Sequence, residues 1–318
     1  MIQKKSNMLN VSYTVTPKLN NYISKIENLR TVIHLTPLSQ NTKIKLRWEA
    51  ALNRIYASLA LSGSSLKKAE MAKLLSQNKK KLNKEEQKVI NYKIATDYIL
   101  QNWLGSPNPI DSEAIIALSK IIGTGRLSAP RQELTHLFEY LTAKKENPII
   151  QAAIAYIELM KMQPFTSSNQ IIASLASTLF LYKYGYDFRG FTSYEAEWIG
   201  DYSYFKENLK LALDTPSLTL WLEYFALCVL HQLEKLDQIL ARPNQTITDS
   251  PKALWELNDR QKSILTNLDK PDVTITNRKI QEKYDISQIT ASRDLGKLTS
   301  LGLLFSHGKG RSVYYTKA

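Results

Sequence analysis

The sequence predicts a mainly α protein: a long helical body, a polar linker, then a small C-terminal module of three helices and a hairpin. Three observations predict it. Glycine is scarce, at 11 of 318 residues, and residues with high helix propensity dominate. Apolar residues recur at helical spacing over most of residues 17–241. The stretch RPNQTITDSPKA at 242–253 is rich in turn formers, and the pattern after it changes character.

The elements follow in chain order. TPKLNNYISKIENLRTVI puts Leu19, Tyr22, Ile23, Ile26 and Leu29 on one helical stripe. KIKLRWEAALNRIYASLAL continues that period. EEQKVINYKIATDYILQNWL gives a further helix, with Val89, Tyr92, Ile94 and Tyr98 among its apolar positions. DSEAIIALSKIIG begins at Asp111 or Ser112 as N-cap and stops at Gly123. GTGRLSAPR at 123–131 is a loop, and helices follow at about 132–144, 148–162 and 169–184. YGYDFRGFTS breaks the pattern. YEAEWIGDYSYFKENLKLAL and SLTLWLEYFALCVLHQLEKLDQILA then read as two long helices, the second ending near Pro243.

After the linker, WELNDRQKSILTNL, ITNRKIQEKYD and ISQITASRDLGKLTSLG read as three helices. Thr276 and Ser287 are the caps of the second and third, and Gly302 is the stop. LLFSHGKGRSVYYTK is a hairpin whose tip HGKGR carries the turn residues. This order is that of a winged helix-turn-helix. Ala291, Leu295 and Leu298 mark the inner face of the third helix. The opposite face presents Gln288, Ile289, Thr290, Ser292 and Arg293. In a major groove, Gln pairs with adenine and an apolar side chain meets a thymine methyl. Arg293 and Lys297 are candidate phosphate contacts. Lys309 and Arg311, at the hairpin tip, would reach the backbone or the minor groove. Duplex DNA is therefore the favoured partner. Modules of this kind also bind proteins or dimerise, so a protein partner and a homodimer stay open.

Composition bounds the rest. Formal net charge is +13, which favours encounter with polyanions without naming a site. Lys and Glu alternate in NKKKLNKEEQK at 78–88, as on a solvated surface. No apolar run is long enough for a bilayer, so no membrane partner is expected. The start, MIQKKSNMLNVSYT, lacks the apolar block of a signal peptide. Cys228 is the one cysteine. It rules out an intrachain disulfide and fits a reducing cytoplasm. His34, His136, His231 and His307 have no metal-ligand spacing. There is no Gly-rich phosphate loop of the GxxxxGK[ST] or GxGxxG kind. No metal or cofactor is expected.

The centre of the chain carries a resemblance. NPIIQAAIAYIELMKMQPFTSSNQIIASLASTLFLYKYG is similar to the core of the Fic family, whose signature is HPFx[D/E]GNGRxxR. SLALSGSSL at 58–66 resembles the family's SLAIEGNxL segment, and VINYKIATDYI resembles the helix after it. DFRGFTSYEAEW and LWLEYFALCVL look like the family's C-terminal helices. The similarity extends over nearly the whole chain. It implies a Fic-like helical core, with domains at 1–104, 105–241 and 254–318 around the linker 242–253. Fic enzymes usually move the AMP of ATP to a protein hydroxyl. In that chemistry the His is a general base, the acidic residue holds Mg²⁺ against phosphate, and the two Arg clamp phosphate oxygens.

Here the His position is Gln163, followed by the family's Pro164 and Phe165. Ser167 stands at the acidic position and Ser168 at the first Gly. Asn169 is kept. Gln170 replaces the second Gly, and Ile171 and Ser174 replace the two Arg. A carboxamide is no base at neutral pH, and loss of a general base alone costs about a hundred- to ten-thousand-fold in rate. In many relatives a Glu in the SLAIEGN-type segment pairs with the second motif Arg and blocks ATP. Here Ser58, Ser62 and Gly63 stand in that segment, with Ser62 at the Glu position. Both members of that ion pair have become small and neutral. The resemblance thus implies a retained scaffold without catalytic residues, and no nucleotide partner. Ser167, Ser168 and Asn169, ahead of a helix start, still offer hydroxyl and N–H groups to an anion. The expectation is a non-catalytic regulator that binds DNA. The alternatives are an adenylyltransferase with altered chemistry, and an interaction module that docks a peptide at 123–131.

Overall fold

The computed structural model of the chain describes residues 11–76, 81–143, 146–241, 252–268, 273–308 and 310–318. Most of the expected linker falls outside these residues. No helix among them is long and apolar enough to cross a membrane.

The body opens with α1 (Pro17–Leu35), α2 (Gln40–Leu61), α3 (Lys68–Ser76), α4 (Lys84–Trp103) and α5 (Ser112–Ile122). Thr16 caps α1 from the side chain and Pro17 starts it, a position where a missing N–H costs nothing. Asp111, not Ser112, caps α5, and Gly123 ends it at φ 80°. The short α3 is absent from the sequence reading. It buries Met71, Leu74 and Leu75, spaced three and four apart. Ile94 of α4, expected on the apolar face, is 48% exposed. Its two neighbours in that stripe, Val89 and Tyr92, are fully buried.

Then come α6 (Arg131–Ala143), α7 (Pro148–Met162) and α8 (Asn169–Lys183). α7 and α8 form the central pair and are buried around most of their circumference, as an all-round apolar helix must be. Small residues let neighbours approach their backbones. Ser177 Oγ donates to Ala152 O at 2.7 Å, and Trp221 Nε1 donates to Ala153 O at 2.8 Å.

A 3₁₀ turn (Phe188–Gly190) leads to α9 (Glu195–Gly200), α10 (Tyr202–Asp214) and α11 (Thr219–Ala241). The sequence predicted one helix over 194–213. It breaks at Gly200 and Asp201 because Asp201 leaves helical geometry and caps α10, accepting from Tyr204 N at 3.0 Å. Trp198 sits at the centre of an aromatic cluster, 4.8 Å from Phe205, 4.9 Å from Tyr156 and 5.1 Å from Tyr194 between ring centroids. α1 closes over α11. Thr16 Oγ1 donates to Glu223 Oε1 at 2.7 Å, and Lys18 Nζ lies 3.0 Å from Oε2.

The tail comprises α12 (Lys252–Trp255), α13 (Asp259–Asn267), α14 (Asn277–Tyr284), α15 (Gln288–Ser300), β1 (Leu304–His307) and β2 (Tyr314–Lys317). The helix expected over 255–268 starts late, at a capping box formed by Asn258 and Gln261. Thr276 and Ser287 cap α14 and α15 as the sequence indicates. Asp285, at φ 48°, turns the chain between them. β1 and β2 pair antiparallel, from Leu304 opposite Lys317 to His307 opposite Tyr314. Ile275 adds a bridge to Tyr315 through backbone bonds of 3.0 and 2.8 Å. Ala291, Leu295 and Leu298 are fully buried.

Candidate functional site

The turn between α7 and α8 carries the residues that the resemblance aligns with the family's motif. α7 ends at Gln163, whose backbone is left-handed at φ 47°. The Gln163 side chain is exposed and folds back, Nε2 donating to Met160 O at 2.7 Å. Pro164 and Phe165 are buried. Asn169 clasps the turn with both halves of its amide. Its Oδ1 accepts from Phe165 N at 2.9 Å, and its Nδ2 donates to Phe165 O at 2.7 Å. Ser168 enters α8 at φ 59° and makes no side-chain cap.

Residues 123–131 lie along this turn. Leu127 and Phe165 form an antiparallel bridge. Ser128 N donates to Pro164 O at 2.8 Å, and Thr166 N donates to Arg126 O at 3.1 Å. Ser167 Oγ donates to Thr124 O at 2.8 Å. Gly125, at φ +85°, passes so near Thr166 that a Cβ would collide with its hydroxyl. The loop's role as a cover for the turn is not visible in the sequence. Its only signal there is the pair of glycines, Gly123 and Gly125.

Of the three residues expected to offer hydroxyl and N–H groups to an anion, Ser167 and Asn169 also bond the backbone of the loop and the turn, and Ser168 makes no side-chain cap. The positions that the resemblance aligns with the two Arg are buried, Ile171 being 2% exposed and Ser174 1%. Ser58 shares a hydrogen bond of 2.9 Å with Tyr92 Oη, and Ser62, exposed, donates to Ser58 O at 2.9 Å. Gly63, at φ +86°, ends α2. Ser62 therefore bonds within its own helix, while Ser174 is packed in the core.

Burial pushes the Tyr156 and Tyr194 phenols upward, so both stay protonated. Burial likewise raises the Glu195 carboxyl, against the opposing pull of the Arg54 guanidinium. The Cys228 thiol is pushed up to about 12 by burial, which keeps it inert. No group of His, Cys, Asp and Glu among the described residues could hold a metal ion.

Residues 123–181 match the model of the Fic/DOC family. The helical body has a Fic-like fold. A Fic family protein from Desulfovibrio desulfuricans G20 superposes with a TM-score of 0.63 at 15% identity, over 97% of this chain and 98% of its own. A Fic domain containing signaling protein from Bacteroides thetaiotaomicron VPI-5482 gives 0.58 at 18%, over 74% of this chain and 100% of its own. Fic-1 from C. elegans gives 0.55 at 17%, over 70% and 72%. No curated protein matches. At these identities the likeness is one of fold. The first of them extends that fold beyond the Fic core into the tail.

The second candidate surface is the tail. On α15, Gln288, Ile289 and Arg293 are exposed, Ile289 at 65%. Thr290 and Ser292 are half-buried, and Ser292 Oγ accepts from Asn277 Nδ2 at 2.8 Å. Lys297 is half-buried and donates to Glu256 O at 2.5 Å, so its amine is turned toward the protein rather than outward. Lys309 and the side chain of Arg311 lie outside the described residues. The sequence reading missed Asp294. It is buried and receives Arg260 Nε at 2.5 Å and Gln261 Nε2 at 2.8 Å, which fixes α15 on α13.

Proposed function

We propose that this chain is a non-catalytic Fic-fold regulator that binds duplex DNA through a C-terminal winged helix-turn-helix. One observation carries the reading. α15 anchors itself through Ala291, Asp294, Leu295 and Leu298 and leaves Gln288, Ile289 and Arg293 in solvent at its first turns. A recognition helix is used in this way, N-terminal residues toward base edges and inner face on the module. The exposed Ile289 has no role in packing and suits a thymine methyl. The closed turn at 163–170 supports the absence of adenylyl transfer, since it presents no base, no carboxylate and no guanidinium.

The test is fluorescence anisotropy with a duplex of mixed sequence at two salt concentrations. Wild type binds more weakly at the higher salt. Arg293→Ala and Arg311→Ala each lower affinity about fivefold or more and reduce the salt slope by about one. Equal binding by wild type and both variants at low salt defeats the DNA reading. Magnesium-dependent transfer of label from ATP to a lysate protein by the purified chain defeats the non-catalytic one.

A further inference from the structure

A cavity of about 400 Å³ lies away from the turn at 163–170, at the seam between body and tail. α2 lines it with Trp48, Ala51 and Ile55, and α4 and its C-cap with Leu100 and Leu104. The tail covers it with Leu301 and Gly302, which join α15 to β1, and with Phe305 of β1. A volume of this size falls within the usual range for small-molecule sites, and the walls are mainly apolar.

One polar feature defines what would fit. At one end stand Arg47 and Arg189. Arg47 Nε donates to Arg189 O at 3.1 Å, and Arg189 Nη1 donates to Ile33 O and Thr36 O at 3.0 and 2.8 Å. Both guanidinia thus bond carbonyls, and neither forms a salt bridge with a carboxylate among the described residues. Asp187 is the acidic residue lining this end. Asp97, the other acidic side chain in the wall, is held by Lys93 at 2.6 and 2.7 Å. With Lys93 matched by Asp97, the wall holds Arg47, Arg54 and Arg189 against Asp187 and the Ala318 carboxylate, an excess of one positive charge that suits an anion.

We propose that this cavity binds a small organic acid, a ring or short hydrocarbon body bearing one anionic group. The body would fill the apolar space between α2, α4 and Phe305, and the anion would meet Arg47 and Arg189. The ligand touches both halves of the molecule. Lys93 Nζ also reaches Thr299 O across the seam, at 3.4 Å, and α15 packs on α3 beside it. Occupancy therefore changes how α15 is held and alters DNA affinity, a coupling between two sites. The coupling rests on the DNA-binding reading. The ligand site does not.

Anilinonaphthalene sulfonate, an aromatic body with one anionic group, is the probe. Its fluorescence in a titration of the full chain should rise saturably, with one molecule bound per chain. Ala51→Trp, which fills the cavity, should abolish that signal. Arg47→Ala should weaken binding about tenfold, the loss of one charge-assisted contact. Arg293→Ala should leave it unchanged. If Ala51→Trp does not fold by circular dichroism, Leu104→Trp at the more exposed rim replaces it. Absence of saturable binding, or a filled variant that binds as wild type does, overturns the site. Saturating probe should shift DNA affinity at least about threefold. Unchanged DNA affinity with the probe bound overturns the coupling. Failure of wild type to bind DNA at all, with probe binding intact, overturns the coupling and the DNA reading together while supporting the site.

Discussion

The turn at 163–170 and the outer face of α15 both offer polar residues at the start of a helix, and the fold treats them in opposite ways. In the turn, Asn169 bonds the Phe165 backbone twice and Ser167 bonds Thr124 O. The helix behind it buries Ile171 and Ser174. On α15 the anchoring polar contact is made by Asp294 on the inner side, while Gln288, Ile289 and Arg293 stand exposed. A residue type alone does not reveal function. What separates these two regions is whether the side chain is already engaged by its own fold. In the turn, Asn169 and Ser167 bond the fold's own backbone, whereas Gln288, Ile289 and Arg293 on α15 are exposed.

The strongest way to break this comparison is to return a family residue to the closed turn. Ile171→Arg places a guanidinium where almost no surface is exposed. An uncompensated buried charge should destabilise the chain by about 3–5 kcal/mol in denaturant unfolding. A variant as stable as wild type that gains affinity for ATP would show instead that the pocket opens. The next effect concerns the clasp. Asn169→Ala leaves the Phe165 N–H and C=O without their partners inside the turn. The expected cost is about 2–4 kcal/mol, with DNA affinity unchanged under conditions where the variant is folded. Loss of DNA binding by folded Asn169→Ala would mean that the turn communicates with the tail and is more than scaffold.

The difference between the two regions was only partly legible in the sequence. Helix ends were legible where they depend on local chemistry. Thr276, Ser287 and Asp111 cap through bonds to N–H groups three residues on, and Gly123 supplies the left-handed exit. The inner face of α15 was legible because burial follows helical period. Contacts between distant segments were not. The anchoring role of Asp294 was not legible because Arg260 and Gln261 lie more than thirty positions away in sequence. The retained Asn169 was visible as a motif residue, but its bonds to Phe165 appear only when the turn is folded. The helix break at 200–201 hid because Gly200 and Asp201 sit inside an otherwise continuous apolar pattern. Ile94 misled because apolar identity does not by itself guarantee burial.

The smallest expected effect on stability is the most telling for the α15 face. Ile289 is 65% exposed, so Ile289→Ser removes little buried area and leaves no unpaired polar group. Its effect on unfolding free energy should stay within about 0.5 kcal/mol, as for surface substitutions away from special features. DNA recognition should respond differently. If the Ile289 side chain meets a thymine methyl, the substitution reduces preference for the matching base pair by about 1 kcal/mol. Affinity for a non-specific duplex should hold, because Arg293 still supplies charge. A selection from random duplexes, run in parallel for wild type and Ile289→Ser, reads both quantities. Identical base preferences at every position, with stability also unchanged, would remove Ile289 from the DNA-reading surface. Arg293 and the hairpin tip would then act as sequence-independent phosphate contacts alone.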